Sequence, residues 1–476
     1  MSPKFKRIVF TSIAALVSLI LLFCNLGYNF KSDVFSYREI INHSDYFKTI
    51  YSESSTAEKY NDKVSSYISK KLKDYSISPL LTEGSDPFLH NYSVNLPYES
   101  SKSYIQIVSK YDNVIREYSL GDDFAIDVSG LYSQKFATGD AFIGDNIEFK
   151  DNVPSIILIN NYQSLYNYNK DELDSKLKAL GVNALIYKES KEKINSNRIF
   201  YDQNYVSSNN GIAKFALSED AFNEIEDFLS KGYKLKVKSG VKIKEQNLTN
   251  IYGKIEGSNP SSKPLVIACF YDSDIPSKYN DKTDGEFQQS ISTSSMLLEC
   301  FRVIKQQETV TPDRTIIFAF LSGKNINKKG LEVLRSLNID GEFAILDNLG
   351  NSTKFNISVQ ENFKNFSNTV NYFMNKNNFK VVSTSVDGYL YKDTAYITGI
   401  NNYSYKLDFS NAYNSCKVIL SIIGDECFNL DVLSTNSREI RTLKRYIKDY
   451  TIPISVITLI FITFIVFKYP EIKNSN

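Results

Sequence analysis

Three short runs of consecutive apolar residues stand out between residues 250 and 350: "PLVIACF", "RTIIFAFLSG" and "GEFAILDNLG". None alternates between apolar and polar, so each is expected to be a strand buried on both faces. Between them lie "SISTSSMLLECFRVIKQ" and "NKKGLEVLRSL", whose apolar residues recur at helical spacing. "NIYGKIEG" before them reads as one further strand. Strand and helix in alternation predict an α/β fold with a mostly parallel central sheet and helices on both faces.

Upstream, "SSTAEKYNDKVSSYISKKLKDYSI" places Tyr60, Val64, Tyr67, Ile68 and Leu72 on one helical stripe. Ser55 with Glu58 three residues on suggests a capping box at its start. The stretch before Thr56 reads as polar connection. From about 95 to 145, alternating segments such as "SYIQIVSKY" predict strands. "VPSIILINN", "DELDSKLKALG" and "VNALIYKE" then predict a β-α-β unit, and "SEDAFNEIEDFLSKG" a further helix before the alternating "YKLKVKSGVKIKEQ".

The chain ends carry two longer apolar runs, Ile8–Phe23 and Thr451–Phe467. Each approaches the roughly 17–25 residues of a membrane span. The first could also be a signal peptide, but no small-x-small cleavage pattern follows Phe23, and it reads as an uncleaved anchor. Lys4, Lys6 and Arg7 favour a cytoplasmic N-terminus, which puts the large middle region outside and the C-terminus inside the cell. Arg438, Arg441, Lys444, Arg445 and Lys448 crowd the outer side of the second run against that rule. Alternating with Ile440, Leu443 and Ile447, they describe either an amphipathic helix on anionic membrane lipids or a solvated helix joining domain to anchor.

Of 476 residues, 55 are Lys or Arg and 54 Asp or Glu, a balance that argues against a nucleic-acid partner. Five cysteines form no CxxC pair, which removes zinc-ribbon and redox-motif chemistry. A Cys416–Cys427 disulfide is conceivable for an extracytoplasmic domain. Neither a phosphate-binding glycine loop nor a GxSxG elbow is present.

In open parallel sheets, sites form at the carboxyl ends of the strands. Asp272, the stretch after Leu321 and Asp347 all fall there. Asp281, Asp284 and Glu286 form an acidic loop that reads as solvated, or as an oxygen-rich site for a hard cation such as calcium. The only two histidines, His43 and His90, lie upstream, the second in a polar loop. Phe270 and Tyr271 read as packing at a strand end.

The block from about 246 to 435 resembles the M28 family of zinc aminopeptidases and carboxypeptidases. Its "ACFYDS" matches the family's strand-end "gaHyDs" with Phe270 at the metal-binding histidine. "EFQQSISTSSMLLECFR" matches the following helix, with Gln289 at the bridging aspartate. "FAFLSGKNINKKGL" puts Lys324 at the general-base glutamate and Asn325 at the ligand glutamate. "AILDNLG" keeps the ligand aspartate as Asp347, and no histidine follows His90 to supply the family's last ligand, expected near "GINNYSYKLD". The resemblance implies a phosphorylase/hydrolase-like M28 fold, with a protease-associated (PA)-like insert over roughly 100–240. It divides the chain into an anchor (1–30), an N-terminal part of the peptidase-like domain (48–99), the insert, the main domain (246–436), a basic helix (437–450) and a second membrane helix (451–468).

Of six positions implied for two zinc ions and a base, five are changed. Phe270 has no lone pair, Gln289 is a neutral bridge, Asn325 a weak ligand, and Lys324 brings a positive charge where a base belongs. Asp272, which in the family orients the ligand histidine, has none to orient, and Lys324 becomes a candidate partner for Asp272 or Asp347. The expectation is a membrane-anchored, non-catalytic binding or scaffolding ectodomain with no cofactor, taking a peptide, glycan or protein partner. The alternative is a divergent membrane-bound metallo-aminopeptidase with zinc held by other residues.

Overall fold

The computed structural model describes residues 30, 34–128, 135–144, 154–160, 170–196, 198–201, 212–272, 285–307, 311–387, 390–400 and 408–428. Both long apolar runs and the basic segment 438–448 lie outside them. Among the described residues no helix is long and apolar enough to cross a membrane.

A nine-stranded sheet organises the body: β1 Ser78–Pro79, β2 Leu89–Glu99, β3 Val241–Ile255, β4 Leu265–Phe270, β5 Ile316–Leu321, β6 Glu342–Asp347, β7 Lys354–Val359, β8 Lys380–Val386 and β9 Thr394–Gly399. Its spatial order is β1-β3-β5-β4-β6-β9-β7-β8, with β2 also paired to β3. β5, β4, β6 and β9 run parallel, while β3 joins β5 and β7 joins β9 antiparallel. Every residue of β4 and β5 is buried, as their unbroken apolar sequences require of strands covered on both faces.

One face carries α1 (Tyr37–Glu53), α2 (Ala57–Asp74), α3 (Gly285–Gln307), α5 (Lys364–Lys376) and α6 (Phe409–Cys427), packed on Leu265, Ile267 and Cys269. The other face is covered by Leu331 and Leu334 of α4 (Lys329–Ser336), which meet Val266, Ala268 and Phe270.

The segment read as polar connection is instead helix α1. Its buried residues Ile40, His43, Ser44, Phe47, Ile50 and Tyr51 recur at helical spacing, but two of the six are polar, which hides the stripe. The cap of α2 is one residue later than expected: the Thr56 side chain accepts from Lys59 N, and Glu58 accepts from Asn247 N at 3.3 Å. Cys416 and Cys427 are not a disulfide. Both are buried in α6, eleven residues or about 16 Å apart along the helix, far beyond bridging distance.

β3 is longer than the sequence suggests. It pairs with β2 from Ile251↔Leu89 to Val241↔Glu99. This ribbon runs past the carboxyl end of β5 and carries a second lobe. The lobe contains a six-stranded sheet, including Ile156–Ile159 parallel to Ala184–Glu189, and a four-stranded one. The expected β-α-β unit is present there, with its helix at Lys170–Ala179. The lobe folds back on the body, where Arg198 donates to the Tyr51 hydroxyl and the Tyr201 hydroxyl to Asn95 O at 2.6 Å.

Candidate functional site

The carboxyl ends of β4, β5 and β6 converge, and each contributes one element of a site. Asp272, two residues after β4, is buried. Its carboxylate accepts from Gly323 N at 2.8 and 2.9 Å, from Lys324 N at 3.2 Å and from Asn61 Nδ2 at 3.3 Å. Gly323 permits this cradle. Its φ is +76°, and a Cβ there would lie 2.9 Å from Ile326 Cγ1.

Lys324 then turns its ammonium to the neighbouring strand end. Nζ lies 2.8 Å from Asp347 Oδ1 and 3.3 Å from Asn348 Oδ1. The side chains of Lys324 and Asp347 are only 9% and 10% exposed, so this is a desolvated ion pair. The two partners considered for Lys324 are thus divided: its main chain serves Asp272 and its side chain Asp347. Asn327, Lys328 and Asn348, on the two loops that meet here, all have positive φ. For Lys328 that conformation is uncommon, and its ammonium sits over the Tyr396 ring at 4.1 Å.

Asn61 was not among the residues singled out in the sequence, yet it ties the site together. Its amide donates to Asp272 and to Ala57 O, and its carbonyl accepts from Thr249 N and from the Tyr271 hydroxyl. The Tyr60 hydroxyl donates to Tyr271 O, Tyr92 bonds Ser322, and Asn250 bridges Ser322 N, Tyr252 and Gly330 O. The available signal was a polar residue inside the buried stripe of α2, beside Tyr60 and Val64.

Phe270 is buried among Tyr252, Leu321 and Tyr396, a strand-end packing residue as expected. Gln289 is buried in the second turn of α3, where its main-chain carbonyl accepts from Thr293 Oγ1 at 2.9 Å. The Ser294 hydroxyl bonds Phe270 O at 3.0 Å, locking α3 to the end of β4. Asn325 lines a small cleft with Asp272, Lys324, Ile326 and, from ribbon and lobe, Leu96 and Tyr201. His43 and His90 are not brought to this point. His43 is buried against the Tyr67 hydroxyl at 2.6 Å, and burial lowers its pKa to about 4. His90 lies in β2 rather than a loop, its ring 6.0 Å from that of Tyr252. Asp281, Asp284, the side chain of Glu286 and residues 401–407 lie outside the described residues.

These residues do not fit a zinc pair. The Lys324 ammonium lies 2.8 Å from Asp347, the buried Phe270 ring offers no lone pair, and the Asp272 carboxylate accepts from backbone N–H groups. A divalent ion beside Lys324 would meet repulsion in place of a donor. Among the described residues no group of three or more His, Cys, Asp or Glu is placed to hold a metal.

Asp272 gives the site a pH dependence. Burial raises its pKa from 3.8 to about 6, opposed by the hydrogen bonds from Gly323, Lys324 and Asn61 and by the Lys324 charge. Between about pH 4 and 6 the folded protein therefore holds a proton that the unfolded chain has released. The stabilisation from this group is complete below pH 4 and lost as pH rises through 6. A difference on the order of 2 kcal/mol is expected between pH 4 and 7. Denaturant melts of Asp272→Asn across that range should lack this component; an unchanged pH profile would assign it elsewhere.

No protein-family model and no curated protein matches the chain. Solved structures do. An aminopeptidase from Aneurinibacillus sp. strain AM-1 superposes with a TM-score of 0.54 at 10% identity, over 83% of this chain and 95% of that one. A peptidase M28 precursor from Shewanella amazonensis gives 0.54 at 11% identity, over 81% and 96%. BSAP, a zinc aminopeptidase from Bacillus subtilis, gives 0.50 at 13%, over 81% and 95%. Identities this low establish shared architecture, and the chain accordingly has the mixed α/β fold of these aminopeptidases, with its candidate site at the carboxyl ends of the parallel strands.

Proposed function

We propose that this peptidase-like protein binds a peptide, glycan or protein in its cleft without cutting it, as the ectodomain of a membrane-anchored chain. In this reading Ile8–Phe23 and Thr451–Phe467 are the anchors, the body is extracytoplasmic and both chain ends are cytoplasmic. The lobe spanning 104–239 takes the part of a PA-like insert and, with the cleft edge, supplies the binding surface.

The observation that carries the proposal is the Lys324–Asp347 ion pair at 2.8 Å. Hydrolysis by a metal-bound water needs a carboxylate base and open metal coordination, and an ammonium seated on the one matching carboxylate serves neither. The full chain, purified, incubated with zinc and freed of excess, is expected to hold less than about 0.1 zinc per chain. It should also release no amine from aminoacyl anilides. One or two tightly held zinc ions with turnover would overturn the proposal in favour of a metallo-aminopeptidase using residues outside this set.

A further inference from the structure

The two ends of the described body meet. The ring of Phe30 packs edge-on against that of Phe428, with centroids 5.4 Å apart. Residues 34–36 are clamped to the last turns of α3: Val34 O accepts from Arg302 Nη2 at 2.7 Å, and Ser36 N donates to Glu299 Oε1 at 2.6 Å. Glu299 is buried and accepts from Arg302 Nε at 2.7 Å, which fixes the clamp.

This junction lies at the amino ends of the parallel strands. Asp313, three residues before β5, donates its N–H to Cys427 O at 2.7 Å. Arg314 lies 2.7 Å from Glu342 at the start of β6 and 3.7 Å from Glu426 near the end of α6. The candidate site is at the opposite, carboxyl ends. Six-residue strands separate the two faces by about 20 Å. α3 gives the same figure, since Phe287 near the site and Arg302 at the clamp are about 22 Å apart along the helix. The β2–β3 ribbon continues in the same sense, and from Ile251 to Lys242 its tip reaches about 30 Å beyond the carboxyl ends.

We infer that both apolar terminal segments leave the body from the amino-end face of the sheet. The domain then stands upright on the bilayer, with its cleft and second lobe on the far side. The inference rests on the membrane-anchored reading above. Only six residues lie between Phe23 and Phe30, seven steps with a reach of at most about 25 Å, so the short leg holds the amino-end face close to the lipid. The cleft ligand therefore arrives from the water phase, as a soluble peptide, glycan or protein, and not from the bilayer.

The test uses the full chain with Cys24→Ser, leaving the four buried thiols in place. Spin labels go on Gln306→Cys, exposed near the end of α3, or on Lys242→Cys, exposed at the outer end of the ribbon. In liposomes carrying nickel-chelating headgroups, relaxation enhancement should be several-fold greater at 306 than at 242. Equal or reversed enhancement, in protein that stays with the liposomes through an alkaline wash, would overturn the inference while leaving the anchors intact. Loss of the protein in that wash would overturn the anchoring and this inference together.

Discussion

Replacing Lys324 with Met is expected to destabilise the fold by about 3–5 kcal/mol, because it leaves Asp347 buried without its cation. In a body of this size that should lower the thermal midpoint by roughly 5–10 °C. Asp347→Leu should cost a similar amount, since it strands the ammonium. Lys324→Glu should cost at least as much, because it sets one carboxylate against another. The double variant Lys324→Met with Asp347→Leu removes both charges and should recover most of the loss, coming within about 1 kcal/mol of the parent. The decisive comparison is the cycle. Losses that simply add would mean that the two groups do not depend on each other, and the ion pair would no longer explain why this carboxylate is retained.

Asn61→Leu should be the second large effect, at about 2–4 kcal/mol. The substitution keeps the side chain's size and removes all four of its polar contacts. Thr249 N–H is left buried without that acceptor, and the Asp272 carboxylate loses a donor, each costing about 1–3 kcal/mol. The Tyr271 hydroxyl keeps Thr249 O at 2.6 Å, so it adds little. A second readout separates this from loss of packing. With one donor fewer, the Asp272 pKa should rise further, and the fall in stability between pH 4 and 7 should steepen. Asn42→Leu, on the exposed face of α1, is the control and should change stability by less than about 0.5 kcal/mol. A steepened profile in neither variant, or a loss at Asn61 no larger than at Asn42, would remove Asn61 from the centre of the site.

Much of this architecture was present in the order of residues. Unbroken apolar runs at 265–270 and 316–321 marked strands buried on both faces, because a residue can be apolar on both sides of a strand only if both sides are covered. The helices at 57–74 and 285–307 followed from their periodicity, and the residues at the strand ends from their position after each run. The chemistry of those side chains, an aromatic ring, an amide and an ammonium, is a local property and needs no fold to be read.

What the tertiary structure decided was pairing. Whether Lys324 would meet Asp272 or Asp347 depends on how two loops with left-handed residues turn, and neither loop records its partner. The role of Asn61 arises because α2 lies across β3 at Thr249, nearly two hundred residues away in the chain. Helix α1 escaped notice because polar His43 and Ser44 interrupt its buried stripe, a pattern that only packing against α3 makes favourable. Cys416 and Cys427 look adjacent in sequence but sit on one rigid helix that holds them apart. The meeting of Phe30 and Phe428 joins the two ends of the described body, and no local rule reaches across that separation. Periodicity is set by neighbours a few residues apart, so sequence determined the elements and the side chains they offer. Contacts between distant segments depend on the free energy of the whole packed core, so only the folded chain decided which of those side chains meet.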